Sequence, residues 1–581
     1  MPRISNNLSE NDLYRKRHSV SHVLAQAVLE IFPSAQLGIG PAIKDGFYYD
    51  FLLPEPLNPE KLVTIEARML EIIKEGHPFI YEQISYDKAR ELFSSQRFKT
   101  ELIEELRERG ETISVYRDGK FYDLCKGPHA KSLKEINPDG VKLLKVSGAY
   151  WKGDENREML QRIYGTYFDT KEELEDWLKK REEAEKYDHR TLGKNLRLFT
   201  ISEQVGPGLI LWLPKGATLR KVVETLIHEI LIENGYKFVY TPHIGKSNLW
   251  EISGHLEHYR ENMFSSMIVD NDEYFVKPMN CPFHIQIYNE MVKSFRDLPL
   301  RLAEFGSVYR FEKSGVLHGL TRVRGFTQDD GHIFCTDSQL EEEISSVVDI
   351  SLSVLKKFKF TDFSVYISTK PDKFAGDEKL WKHAEEVLEK VLDRFNINYY
   401  VDEGGGAFYG PKIDIKIEDS LGREWQLTTI QLDFNLPVKF KLEYTASDGS
   451  KKTPIMIHRA IFGSLERFIG VLIEHYRGNL PFWLAPEQIR LISVSEKHNS
   501  YLNLVKENLA EFRYSVDETN ERLSYKVRKA EEEKIPYVII VGAKEEQSRT
   551  VSVRSKKDGD LGNVALDDVK QFFDEKLRCW E

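Results

Sequence analysis

Apolar residues recur at helical spacing near the start of the chain. Val20, Leu24, Ala27, Val28 and Ile31 fall on one side of residues 9–32, which end at Pro33, and that pattern predicts an amphipathic helix. Residues 38–51 (GIGPAIKDGFYYDF) read as a glycine-rich turn entering an aromatic strand, and residues 58–75 return to the helical period. The charged stretch at 171–190 (KEELEDWLKKREEAEKYDHR) reads as a solvated helix joining this region to the next. After a turn at 206–208, residues 217–234 predict a long helix, followed by a strand ending at Thr241-Pro242. Residues 305–311 and 321–334 set polar groups between apolar ones and predict a hairpin with a long loop. Residues 402–414 form a glycine turn before a strand, and residues 423–432 a strand presenting Gln426, Thr429 and Gln431. Past the prolyl joint at 484–486, strands at 489–494 and 537–541 alternate with helices at 500–512 and 524–533, an α/β unit of parallel character.

A chain of 581 residues exceeds one core and predicts three domains, with expected boundaries 1–185, 186–482 and 483–581. No run of eighteen apolar residues occurs and the N-terminus lacks an apolar signal segment, so the expected protein is cytoplasmic and touches no membrane. Cys125, Cys281, Cys335 and Cys579 are far apart and form no C-x-x-C pair, which argues against a disulfide framework and requires any metal site to be assembled from distant residues. A net charge of −11 confines any nucleic-acid footprint to a local patch.

Candidate chemistry concentrates in residues 301–335, RLAEFGSVYRFEKSGVLHGLTRVRGFTQDDGHIFC. Arg310, Arg322 and Arg324 on or near one ribbon repel unless an anion joins them, and a polyphosphate suits them. A surface hairpin whose arginines pair with Glu304, Glu312, Asp329 and Asp330 accounts for the composition equally well. His18 and His22 lie four apart on one helical face, as metal ligands would; Ser19, standing where a metallopeptidase carries its general base, argues against that enzyme. Cys125 and His129 flank a Gly127-Pro128 turn, so the two pairs could close one pocket. Cys281 and His284 lie in a proline-flanked turn, where the plain reading is a small buried thiol. Arg467 stands one turn into a helix opened by Ser464, where cation and helix N-terminus together favour an anion.

Arg310-Phe311-Glu312 before a loop, closed by Arg324 and Phe326, resembles motif 2 of class II aminoacyl-tRNA synthetases. Gly463-Ser464-Leu465-Glu466-Arg467 resembles their motif 3, and Thr241-Pro242 the end of motif 1. The strings MNCP, RGFTQDDGHIF, FYGPKID and IHRAIFGSLERF together are similar to threonyl-tRNA synthetases over nearly the whole chain. The resemblance implies a multidomain α+β protein: a class II catalytic core on an antiparallel sheet, an N-terminal α/β editing domain and a C-terminal α/β anticodon-binding domain. It implies activation of L-threonine with ATP to threonyl-adenylate, transfer to the 3′ end of tRNA(Thr), and hydrolysis of mischarged seryl-tRNA(Thr) at a separate site. Serine keeps every polar group of threonine and lacks one methyl, worth about 1–3 kcal/mol, so a second, hydrolytic site is expected.

By the same resemblance Cys281, His332 and His458 match the ligands of one zinc ion per subunit, with one coordination position open. Arg310 matches the residue on the α-phosphate, Glu312 the reader of the adenine amino group and Phe326 the residue stacked on the ring. Arg322 and Arg467 match residues on the outer phosphates, with Mg2+ accompanying ATP, while Gln426 and Gln431 face the adenylate. Gln328, Asp330 and Tyr409 match the threonine site, and His255 the base for transfer. His18, His22, Tyr49, Lys99, Asp123, Cys125 and His129 match an editing pocket; its four ligand-like residues could bind zinc, as in related alanine-specific editing domains, and the likeness favours a metal-free site. Asn520, Glu545 and Arg554 match anticodon readers; Lys534, where the family often carries arginine, would lose bidentate geometry. The motif 1 likeness implies a homodimer. Many relatives begin with a ubiquitin-like β-grasp domain for which this chain has no room, and catalysis and editing are expected to survive without it. A non-enzymatic tRNA-binding or amino-acid-sensing paralogue is the rival reading; intact Arg310, Arg467 and the three zinc positions count against it. A zinc hydrolase built on His18 and His22 is a third, and it fails on Ser19.

Overall fold

The computed structural model describes residues 12–154, 157–372, 374–407, 409–419 and 422–580. The chain divides into two compact units, Asn6–Glu183 and Ala184–Glu581.

In the first unit the expected helix at 9–32 is Asp12–Ile31, its residues 9–11 lying outside the described ones. Its apolar face and that of the helix Pro59–Glu75 bury Val20, Val23, Leu24, Ile65, Met69 and Ile72 against a sheet. The second helix has Asn58 as N-cap, accepting from the Lys61 amide, and ends on Gly76 at φ 71°, a left-handed stop that suits glycine. The sheet runs Gln36–Leu37, Gly46–Leu52, Met159–Tyr167, Val141–Tyr150, antiparallel at each pairing. A smaller antiparallel sheet, Phe79–Gln83, Ser114–Asp118 and Phe121–Leu124, carries the chain into the loop holding Cys125 and His129.

The second unit is built on eight strands in the order Lys237–Phe238, Leu300–Tyr309, Gly325–Cys335, Ile455–Ser464, Glu424–Asp433, Lys412–Glu418, Phe363–Ser368, Tyr400–Asp402. The six central strands are antiparallel, and the short end strands pair in parallel. The helices Pro214–Glu233, Leu340–Lys357, Glu378–Arg394 and Leu465–His475 contribute to its core. Arg220, on the first of these, bonds Glu466 at 3.1 Å and Thr327 at 2.8 Å, tying helix to sheet beneath the cavity described below.

Along Gly325–Cys335 the pleat separates two jobs. Phe326, Gln328, Asp330 and His332 line one cavity, whereas Asp329, Gly331 and Ile333 meet Arg459 or the core behind. Opposite Gln328 and Asp330 the strand Ile455–Ser464 bulges. The bulge takes the amides of Ile461 and Phe462 out of the ladder, and both donate to the Asp329 carboxylate, at 2.7 and 3.0 Å. Gly463 completes the bulge at φ 69°, a backbone state that favours glycine.

Three expectations need correction. The strands expected at 305–311 and 321–334 stop at Tyr309 and resume at Gly325, so Arg310, Arg322 and Arg324 sit on the connection beside the ribbon. The segment after Asn280 is the helix Cys281–Met291 and not a turn, because Pro282 occupies its first turn, where a missing N–H costs nothing. The strand before Thr241-Pro242 is only Lys237–Phe238. The C-terminal module pairs Tyr514–Asp517, Ile489–Ser493 and Tyr537–Val541 in parallel, then adds the antiparallel hairpin Thr550–Ser555, Gly559–Ala565.

Candidate active site

The open face of the eight-stranded sheet holds a cavity of about 410 Å³. Arg310, Phe326, Gln328, Asp330, Tyr409, Gln426, Gln431 and Arg467 line it together with Cys281, His332 and His458. Three strands, two helices and two connections thus bring these residues to one place. The Arg310 Nε donates to the Pro278 carbonyl at 3.3 Å, and its guanidinium lies 5.1 Å from the Phe326 ring centre. Arg467 Nε donates to the Thr321 carbonyl and Nη1 to the Gln426 carbonyl, each at 3.0 Å, so neutral oxygens hold it. Burial, with the positive charges of Arg310 and Arg322 close by, pushes the Arg467 guanidinium down to about 10. Such crowding is relieved by an anion.

The acids offered as alternative partners have other work. Glu312 meets Arg322 at 3.3 Å, but Glu304 accepts from Thr241, Asp330 accepts from Asn280 at 2.9 Å, and Asp329 holds the bulge. Arg324 donates to the Glu312 carbonyl at 2.8 Å and to Ser314 at 3.2 Å, closing the connection on itself. The surface-ribbon reading therefore finds little support.

Deeper in the cavity, Cys281, His332 and His458 each offer one donor atom, and these atoms lie within 4.8 Å of one another. His458 Nε2 faces Asp433 Oδ2 at 2.9 Å; a carboxylate only accepts, so this nitrogen carries the proton. The other, Nδ1, is then bare and lies 3.0 Å from His332 Nε2. Burial pushes the Cys281 thiol well above its ordinary range and His332 well below, so the His332 imidazole is favoured neutral, and a thiolate at Cys281 needs a cation beside it. One sulfur and two imidazole nitrogens form a donor set suited to zinc with a fourth position free.

Gln426 donates to Asp414 at 2.5 Å and Thr429 at 2.6 Å, Gln431 to the Gly410 carbonyl at 3.3 Å, and burial raises the Tyr409 phenol well above its usual range. His255 lines a small apolar recess next to this cavity with Met279, Cys281 and Tyr409. Burial and then Arg310 push His255 down to about 4, so it is neutral at ordinary pH, with Ser253 at 2.7 Å on Nδ1. Glu312 and Arg322 stand on the connection outside the cavity lining. Asn280, Asp433 and Lys412 join this site through contacts made by folding, which no spacing in the sequence signals, whereas His284 is legible only as a neighbour of Cys281 in the same short segment.

The first unit has its own polar cluster, in which His18, His22, Cys125 and His129 offer donor atoms within 4.8 Å of one another. His18 Nδ1 donates to the Pro128 carbonyl at 3.0 Å. Ser19 donates its proton to the Arg15 carbonyl and accepts from Ala130 N–H, so His129 Nδ1, at 3.1 Å, is a donor to it. Both rings consequently turn a bare Nε2 to the Cys125 sulfur, at 3.5 and 3.3 Å. Asp123 gathers Tyr49 at 2.6 Å, Lys99 at 2.5 Å and His22 at 3.5 Å. All seven residues grouped by resemblance therefore meet in one pocket, and Ser19 is engaged in holding it. Burial pushes Cys125 up to about 12 and leaves His18, His22 and His129 below the ordinary histidine range.

In the C-terminal module Asn520 is exposed after the strand Tyr514–Asp517, Glu545 lies on the helix Ala543–Ser548, and Arg554 lies on the strand Thr550–Ser555 opposite Val538. Burial and the neighbouring charge of Lys534 push Lys556 down to about 8. Among the described residues no helix is long and apolar enough to cross a membrane.

Comparisons with known proteins agree with this layout. Residues 264–476 match the class II tRNA synthetase core domain (G, H, P, S and T), residues 488–576 an anticodon binding domain, and residues 113–164 the threonyl and alanyl tRNA synthetase second additional domain. A threonine–tRNA ligase of Borrelia hermsii is 48% identical over 573 residues, 98% of each chain. One from a Sulfurihydrogenibium species is 48% identical over 571 residues, 96% of this chain and 88% of the relative. The solved RNA binding domain of threonyl-tRNA synthetase from Cryptosporidium parvum superposes with a TM-score of 0.65 at 40% identity, covering 67% of this chain and 98% of that one. The α+β core with editing and anticodon-binding modules is that of a class II synthetase, and the chain belongs to the threonyl-tRNA synthetase family.

Proposed function

We propose that this chain activates L-threonine with ATP to threonyl-adenylate, releasing pyrophosphate, and transfers the threonyl group to tRNA(Thr). The observation that carries the reading is the convergence on one cavity of Arg310 and Arg467, both partly buried, with the Cys281, His332, His458 donor set. Arg310 holds the α-phosphate and the charge that develops as the threonine carboxylate attacks; no covalent enzyme intermediate is needed. Arg322 and Arg467 take the outer phosphates with magnesium, Phe326 stacks on adenine, Glu312 reads its amino group, and Gln426 and Gln431 face the adenylate. Cys281, His332 and His458 would hold one zinc ion per subunit, which when bound would present an open face to the amino group and hydroxyl of threonine. Gln328, Asp330 and Tyr409 complete the amino-acid site. Valine would deny the metal and Asp330, which is buried and held by Asn280, the hydroxyl that threonine offers, and sites of that kind discriminate strongly. His255, neutral and close to Cys281 and Tyr409, is suited to take a proton during transfer.

The cluster of His18, His22, Tyr49, Lys99, Asp123, Cys125 and His129 hydrolyses seryl-tRNA(Thr), with Lys99 or a histidine positioning water. Asn520, Glu545 and Arg554 read the anticodon. Domain limits at 1–185, 186–482 and 483–581, a homodimer and a cytoplasmic location complete the proposal.

Threonine-dependent ATP–pyrophosphate exchange, with and without a chelator, tests it. Exchange with threonine that disappears on metal removal and returns with added zinc is expected. No exchange with any amino acid would sink the synthetase reading, and exchange indifferent to complete metal removal would sink the metal role.

A further inference from the structure

His284 lies on the helix Cys281–Met291, one turn beyond Cys281, fully buried and outside the donor trio. Its ring bridges two groups. Nε2 is 3.2 Å from Glu304 Oε2, and Nδ1 is 2.8 Å from His332 Nδ1, the two rings meeting edge to face. Glu304 is itself pinned: it accepts from the Thr241 amide at 2.7 Å and the Thr241 hydroxyl at 2.9 Å, and Lys277, which donates to that hydroxyl, stands 3.8 Å away.

The direction of each bond follows from the end of the chain. A carboxylate can only accept, so His284 Nε2 carries its proton, and a neutral ring then has an accepting Nδ1. His332 Nδ1 must be the donor across the next contact. That leaves His332 Nε2 bare and turned toward His458 and the Cys281 side of the cavity. His458 reaches the same state by a shorter route, through Asp433 directly.

We infer that His284, backed by Glu304, is a positioning residue for the metal: it fixes the ring of His332 and keeps the nitrogen that faces the site free of a proton. The inference rests on the proposed zinc reading. Partners that orient a ligating imidazole through its second nitrogen commonly change metal affinity by about 10–100-fold. The motif MNCPFH therefore carries a ligand at Cys281 and a supporting ring at His284 on one helix.

The test is zinc affinity of the full-length chain, by competition with a chromophoric chelator, together with the visible spectrum of the cobalt-substituted protein. His284→Phe keeps the ring volume and removes both nitrogens. It is expected to weaken zinc roughly 10–100-fold and to alter the cobalt spectrum. His284→Asn, which retains an acceptor for His332 but not the link to Glu304, is expected to fall between wild type and His284→Phe. Wild-type zinc affinity and an unchanged cobalt spectrum in His284→Phe overturn the inference. If that variant does not fold, wild-type affinity in folded His284→Asn overturns it equally. A wild-type chain that binds no zinc at all overturns the metal reading beneath it, which keeps the two failures apart.

Discussion

Arg467 is held by two backbone carbonyls and no acid, so its charge is left for whatever enters the cavity. Replacing it with lysine removes the fork that meets both carbonyls, and replacing Arg310 with alanine removes the donor proposed for the reacting phosphate. Each is expected to lower kcat/KM for pyrophosphate exchange by roughly 10²–10³-fold, with little change in Tm; a loss below tenfold counts against the phosphate roles. In the first unit, Cys125→Ala and His18→Ala are expected to leave threonylation intact while seryl-tRNA accumulates. Unchanged hydrolysis of seryl-tRNA in both variants removes the pocket from editing. The same histidines set a pH dependence. Buried and held neutral, His18, His22 and His129 have folded values below the ordinary one. The unfolded chain takes up protons near pH 6.5 that the folded pocket refuses, so their contribution is intact above about pH 6.5 and lost as pH falls toward the folded values. A melting temperature of the first unit that drops between about pH 7 and pH 5, and drops less in His22→Gln, is the expected result.

Between residues, the elements decide what can be read in advance. The alternation that places Gln328, Asp330 and His332 on one face is legible in the string GFTQDDGHIFC, because a strand has period two. The helix N-terminus at Ser464 is legible as a hydroxyl before an apolar run, and its side chain accepts from the Arg467 amide as a cap should. Ser464→Ala is expected to cost about 0.5–2 kcal/mol by chemical denaturation and, since that helix positions Arg467, to raise KM for ATP as well. The start at Cys281 was not legible, because a proline that opens a helix and a proline that makes a turn look alike before the backbone closes. Nor were Asn280 on Asp330, Asp433 on His458 or Asp329 on the bulge. Those pairs are 50, 25 and 132 residues apart in sequence, and side-chain periodicity carries no information about which distant strand will lie alongside. The resemblance names most of the groups that line the cavity; only the fold supplies those standing behind them.

At the scale of the molecule, each of the two units has a core of its own. The first unit contains every residue of its histidine pocket, and the second every residue of the large cavity. Residues 6–183 produced alone are expected to melt as one cooperative transition, and residues 184–581 to retain threonine-dependent exchange while failing to clear seryl-tRNA. A first unit without a cooperative melt, or a second unit without exchange, contradicts that independence. The eight-stranded sheet adds a constraint on how such a chain can change over time. Because Gly325–Cys335 faces the cavity with one set of side chains and the core with the other, inserting or deleting a single residue would exchange the two sets at a stroke. Substitution along that strand is gradual in its effects, whereas a change of length is all or nothing. Insertions and deletions in descendants of this chain should therefore gather in the connection at 310–324 and spare the eleven positions after it, so that a comparison of lengths alone would trace the sheet's register.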